Sequence, residues 1–188
     1  MKRSLRPAVF LDRDGTLIRD RNYLKDPRHL HFYKGVFTAL RQLREAGYRL
    51  VMVTNQSGIG RGFFRQADLE KVHLRFRHIL RGQKIRLDGI FVCPHHPDQN
   101  CNCRKPQPAL FLKAARQLAI DLKKSYFVGD KPSDVLPALR LKGKGILVLT
   151  GLGQKQSSLL KSWESLRVAR SLPTAVKWIL KGDRHVGD

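Results

Sequence analysis

The chain has 188 residues, with 37 Lys+Arg against 15 Asp+Glu, for a formal charge of +22. That length suits one domain with a core large enough to need no disulfide. No apolar run reaches the roughly 18–20 residues that span a bilayer. MKRSLRPAVFLD has no apolar signal-peptide core, so a cytoplasmic protein is expected.

Short apolar runs alternate with amphipathic ones. AVFLD (8–12), RLVMVTN (49–55), DGIFVC (88–93), SYFVGD (125–130) and GILVLTG (145–151) are apolar on both faces, as buried parallel strands are. Helical spacing recurs over 36–47, with Val36, Leu40 and Leu43 on one face and Gly47 as a C-cap. It returns over 66–80, through Leu69, Val72, Phe76 and Leu80, and over 108–120 behind a proline. The stretch 132–143 is helical but interrupted by Pro137, and a last helix covers 174–182. Strands alternating with helices predict an α/β domain spanning 1–188 around a Rossmann-like, doubly wound parallel sheet. Residues 18–34 lack periodicity and are a candidate flap; residues 183–188 are expected to be a loose tail.

In such sheets ligands sit beyond the carboxyl ends of the strands. Asp12, Thr54, Cys93 and Asp130 all fall there. Asp12-Arg13-Asp14-Gly15-Thr16 places two carboxylates before a glycine turn. One can attack phosphorus and the other can move a proton. Thr54 and its following backbone can hold phosphoryl oxygens, Lys105 can neutralise them, and Arg104 can fork onto a second anion. Asp130 can bind Mg²⁺ through oxygen.

Cys93, His95, Cys101 and Cys103 form C-x-H-x5-C-x-C, which uses every cysteine of the chain. Three thiolates and an imidazole are a structural zinc composition, with His96 as the alternative to His95. The basic residues are scattered, and the densest stretch, Arg75 to Arg86, carries no RNA-binding or zinc-finger pattern. Nucleic acid is therefore a less favoured partner than a phosphorylated small molecule, although the charge suits a polyanion.

Taken in order after their strands, D-x-D-G-T, Thr54, Lys105 and GDKPSD resemble the signature of the haloacid dehalogenase superfamily. The resemblance implies that fold without a large cap domain, and a Mg²⁺-dependent phosphatase. Asp12 would be nucleophile and metal ligand, and Asp14 the general acid/base, binding Mg²⁺ through its carbonyl. Thr54 and Lys105 would hold the phosphoryl group, Asp130 would complete the metal ligands, and Asp134 would support them. The CPHHP…CNCRKP loop is similar to that of phosphatases acting on heptose 1,7-bisphosphate or histidinol phosphate. Ser57-Gly58-Ile59-Gly60-Arg61-Gly62 resembles the heptose enzymes. That family removes the 7-phosphate of D-glycero-D-manno-heptose 1,7-bisphosphate on the way to nucleotide-activated heptose for lipopolysaccharide core or a related glycan. By the same resemblance Asp20, Arg21, Asn22 and Tyr23 would contact sugar from the flap. Asn55, Gln56, Ser57 and Lys131 would line the site, Arg104 would bind the distal phosphate, and Zn²⁺ would stiffen the loop 93–103. The pair Arg21-Asn22 departs from the family's usual residues before the tyrosine. Histidinol phosphate and nucleic-acid 3′-phosphates are the alternative substrates, and a monomer is expected.

Overall fold

The computed structural model describes residues 4–160 and 166–182; the expected loose tail, 183–188, lies outside them. Among the described residues six strands form one sheet: β1 (Ala8–Leu11), β2 (Arg49–Asn55), β3 (Gly89–Cys93), β4 (Tyr126–Gly129), β5 (Lys144–Val148) and β6 (Leu166–Ala169). Their order is β3-β2-β1-β4-β5-β6, with every pairing parallel. The chain winds outward from β1 to β3 and then returns to place β4 beside β1. The direction thus reverses at the carboxyl ends of β1 and β4, where doubly wound sheets bind ligands.

Alternation along the strands makes two apolar layers. Val9, Leu11, Leu50, Met52, Val128 and Ile146 face α1 (Val36–Glu45), and later in the chain α3 (Gln66–Gly82) and α8 (Leu172–Lys181). Phe10, Val51, Val53 and Phe127 face α4 (Ala109–Leu118). Phe10 stacks on Phe127 at 4.9 Å between ring centroids and meets Phe111 of α4 edge-on at 5.2 Å.

The five expected strands and the helices at 36, 66 and 108 stand within a few residues of their sequence positions. Pro137 divides the stretch 132–143 into α5 (Pro132–Val135) and α6 (Pro137–Leu141), because a proline starts a helix well but has no N–H to continue one. Besides short 3₁₀ turns, the elements among the described residues that were not read from sequence are α2 (Ser57–Gly60), α7 (Gly153–Gln156) and the edge strand β6, whose apolar run is interrupted by Arg167.

Residues 18–34 leave the sheet through a closed neck in which Ile18 bridges Phe32 and Tyr33 N–H donates to the Leu17 carbonyl. Leu24 and Leu30 are buried, and Asp26 caps a single 3₁₀ turn at Pro27–His29. The segment is therefore anchored at its stem and middle.

Candidate active site

β1 delivers Asp12 and Arg13 at the reversal point, β2 delivers Thr54 and β4 delivers Asp130. All four are buried, with Asp134 and Lys105 beside them. Lys105 Nζ donates to Asp12 Oδ1 at 2.6 Å and to the Val53 carbonyl at 2.7 Å, and it pairs with Asp134 Oδ1 at 2.7 Å. Those three acceptors use all three ammonium protons.

The charges do not balance. Burial pushes the Asp12 carboxyl up to about 6, overcoming the acidifying field of Lys105. Burial, then the negative charges of Asp12 and Asp134, push Asp130 up to about 7. Burial disfavours the Lys105 ammonium, yet Asp12 and Asp134 outweigh it and hold its pKa above the usual range. One buried lysine thus faces three buried carboxylates.

Oxygen atoms of Asp12, Asp130 and Asp134 lie within 4.8 Å of one another. Asp130 Oδ2 accepts the Leu152 N–H at 2.8 Å, but its buried Oδ1 has no partner. An orphan carboxylate oxygen beside two further carboxylates fits a hard divalent cation. Gly15 permits this approach. It sits at φ +82°, and a β-carbon there would run into the Asp130 carboxylate.

Asp14, half-buried, accepts from Arg13 Nε at 3.0 Å and from Gln56 Nε2 at 2.9 Å. Gln56 also donates to Thr54 Oγ1 at 2.9 Å. Asn55 takes the Lys105 N–H at 3.1 Å and returns its own amide to the Lys105 carbonyl at 3.2 Å.

These groups line one cavity of about 430 Å³. Asp12, Asp14, Asp20, Asn22, Tyr23, Thr54, Asn55, Gln56, Ser57, Arg104, Lys105 and Lys131 all face it, whereas Arg21 lies exposed outside that lining. Asp130 sits behind it, fully buried. Arg13, Arg61 and Ser133 join the wall without having been singled out as site residues. Arg13 lay inside the D-x-D motif and Arg61 inside the Ser-Gly…Arg-Gly run, so position was the available signal. Arg104 carries a buried Nη1 without a partner at the cavity wall. Lys131 and Asp20 pair at 3.7 Å across the mouth. Burial opposes the Lys131 charge, but Asp12, Asp130, Asp134 and Asp20 together raise its pKa. Tyr23, at φ +67°, sets its ring edge-on to Phe63 with centroids 4.8 Å apart.

The second cluster stands at the end of β3. Cys93 Sγ lies 3.5 Å from Cys101 Sγ, which lies 3.6 Å from Cys103 Sγ, and His95 Nδ1 is 3.2 Å from Cys103 and 3.7 Å from Cys93. Tetrahedral zinc with Zn–S of about 2.3 Å separates its ligands by about 3.8 Å, close to this spacing. The structure brings His95 into the cluster. His96 turns away, accepting the Asp98 N–H to cap the turn at Pro97–Gln99. Burial pushes the Cys93 thiol up to about 12, a cost that a bound cation removes.

Residues 102–175 match the family model of HAD-hydrolase-like proteins, the class of enzyme that a reversal-point aspartate site on a doubly wound sheet suggests. The D-glycero-beta-D-manno-heptose-1,7-bisphosphate 7-phosphatase of Helicobacter pylori (strain J99) is 39% identical over 173 residues, covering 92% of this chain and 96% of the relative. The enzyme of that name from Photorhabdus laumondii is 40% identical over 183 residues, covering 93% and 97%. The crystal structure of the D,D-heptose 1,7-bisphosphate phosphatase of B. bronchiseptica, complexed with magnesium and phosphate, aligns with a TM-score of 0.86 at 32% identity, covering 94% of this chain and 99% of that one. The chain belongs to the D-glycero-beta-D-manno-heptose-1,7-bisphosphate 7-phosphatase family. Among the described residues no helix is long and apolar enough to cross a membrane.

Proposed function

We propose that this chain hydrolyses the 7-phosphate of D-glycero-D-manno-heptose 1,7-bisphosphate, leaving heptose 1-phosphate, through an aspartyl-phosphate on Asp12. The observation that carries this reading is the buried Asp12–Lys105 contact at 2.6 Å, set at the sheet's reversal point beside Asp130 and Asp134. Lys105 fixes the attacking carboxylate and offers charge to the phosphoryl oxygens, with Thr54 as a further donor. Asp14 is two residues from the nucleophile on the cavity wall. There it protonates the leaving sugar oxygen and then draws a proton from the water that hydrolyses the intermediate.

Asp12, Asp130 and the Asp14 carbonyl would hold Mg²⁺, which when bound offsets repulsion between carboxylate and phosphate. Asp134 supports the set through Lys105. Cys93, His95, Cys101 and Cys103 would hold Zn²⁺, stiffening the loop that ends in Arg104 and Lys105. The partnerless Arg104 Nη1 suits the distal phosphate. Residues 18–34 act as a flap over the sugar: Asp20, Asn22 and Tyr23 line its inner side, and the Asp20–Lys131 and Tyr23–Phe63 contacts hold it to the core.

Phosphate release from heptose 1,7-bisphosphate and histidinol phosphate, measured side by side with Mg²⁺, tests the proposal. A strong preference for the heptose ester, abolished in Asp12→Asn, is expected. Preference for histidinol phosphate would overturn the substrate, and full activity in Asp12→Asn would overturn the mechanism.

A further inference from the structure

Arg13 lies between the two aspartates of the motif and is fully buried. A guanidinium taken out of water costs several kcal/mol unless its donors are used. Here the donors are spent on the reacting machinery. Nε reaches Asp14 Oδ2 at 3.0 Å, Nη2 reaches Asp14 Oδ1 at 3.2 Å and Gln56 Oε1 at 2.9 Å, and Nη1 meets His73 Nε2 at 3.1 Å.

We propose that Arg13, braced from behind by His73, is a positioning residue that aims the Asp14 carboxyl for both proton transfers. The proposal rests on the reading of Asp14 as proton donor and acceptor given above.

An arginine has donors and no acceptor, so it dictates the polarity of every neighbour. The His73 nitrogen facing it must accept, which requires a neutral ring. Burial first, and then the charge of Arg13, push the His73 pKa down to about 3. Gln56 must turn its oxygen to Arg13. Its NH₂ is thereby forced onto Asp14 Oδ2 and Thr54 Oγ1, both at 2.9 Å. Oδ2 of Asp14 thus takes two strong bonds, while Oδ1 takes only the longer 3.2 Å one. Oδ1 keeps a lone pair for the proton in flight.

In the first half-reaction a carboxylate oxygen of Asp12 bonds to phosphorus. The ester P–O bond breaks with its electron pair on the leaving oxygen, which takes the proton from Asp14 Oδ1. In the second, Asp14 takes a proton from water as the water oxygen bonds to phosphorus. The P–O bond to Asp12 then breaks, and its pair returns to the carboxylate.

If Arg13 only tied β1 to α3, its loss would slow every substrate alike. If it aims Asp14, the loss depends on how much the leaving group needs a proton. Wild type, Arg13→Lys, His73→Phe and Asp14→Asn would be compared on heptose 1,7-bisphosphate and on p-nitrophenyl phosphate, whose leaving group departs unprotonated. Rapid-mixing and steady-state rates would both be recorded. Arg13→Lys keeps the charge but loses the fork. Its kcat on the bisphosphate is expected to fall about 100-fold with little change in KM. On the nitrophenyl ester the first-turnover burst should stay within about threefold of wild type, while the following steady rate falls. His73→Phe should show the same split at about tenfold, and it decides the matter if Arg13→Lys fails to fold. Equal losses on both esters in these variants, with the split present in Asp14→Asn, would overturn the role of Arg13. Absence of the split in Asp14→Asn itself would instead overturn the reading of Asp14.

Discussion

Asn55 returns both halves of its side-chain amide to the backbone of Lys105, 50 residues further along the chain. The end of β2 thereby holds the peptide whose side chain grips Asp12. Asn55→Ala should leave the fold intact but free that peptide. An error near 1 Å at a reacting centre costs up to about 100-fold in rate. A fall of about 10- to 100-fold in kcat is expected, with Tm close to wild type; steady-state kinetics and calorimetry check it.

Magnesium should stabilise the protein more in alkali than in acid. The folded pKa values of Asp12 and Asp130 are raised, to about 6 and about 7 from 3.8. Without metal, the folded state binds protons below about pH 7 that the unfolded chain refuses until about pH 4, so these two groups favour folding more as pH falls. Mg²⁺ competes with those protons. The rise in Tm on adding Mg²⁺ should be larger at pH 8 than at pH 5.5, as scanning fluorimetry would read.

His73 works in the opposite sense. Its folded pKa is lowered from 6.5 to about 3, so its contribution is complete above pH 6.5 and is lost as pH falls towards 3. Between pH 8 and pH 5 that loss is about 2 kcal/mol. Urea unfolding of His73→Phe at the two pH values should show a smaller loss than wild type by about that amount.

Cys101→Ser removes one of four convergent ligand atoms. One zinc per chain should be lost by elemental analysis. Tm should drop by roughly 5 °C or more, since structural metal contributes folding energy. Activity should fall as well, because Arg104 and Lys105 follow directly on Cys103.

Gly58 is the floor on which Tyr23 rests: a β-carbon there would strike the Phe64 ring and would come within 2.8 Å of Tyr23 Cδ1. Gly58→Ala should push Tyr23 off Phe63 and loosen the segment 18–34. A rise in KM of about tenfold for the bisphosphate, with a smaller change in kcat, is the expected kinetic signature.

Strands β1, β2, β4 and β5 were legible because they are buried within the sheet, which leaves unbroken apolar runs, and β3, half-buried at the edge opposite β6, because GIFVC carries no charged residue. β6 was not: it is a four-residue edge strand, LRVA, whose short apolar run is interrupted by Arg167 and whose Val168 is exposed. Ser57–Gly60 was read as part of a motif but not as a helix, because two of its four residues are glycines, poor helix formers, and its turn is braced by the loop 93–103, where Gly60 N–H meets the Pro94 carbonyl at 2.9 Å. The buried carboxylates and Lys105 were readable because each follows a strand. The inward turn of Arg13 was marked only by its position between the two aspartates, since residue type alone does not single out one of 37 cations. The choice between His95 and His96 was likewise open in sequence and depends on which ring the turn at Pro97–Gln99 needs as its cap.

Asp12, Thr54, Lys105 and Asp130 arrive on separate passes of the chain, and no contiguous stretch shorter than 12–130 contains them all. A half-folded molecule with β1, β2 and β3 in place still lacks the carboxylate at the end of β4, and one lacking β1 has no Asp12, the proposed nucleophile. On the proposed mechanism partly assembled states are inert, and recovered turnover after dilution from denaturant would count only molecules in which both halves of the sheet have met.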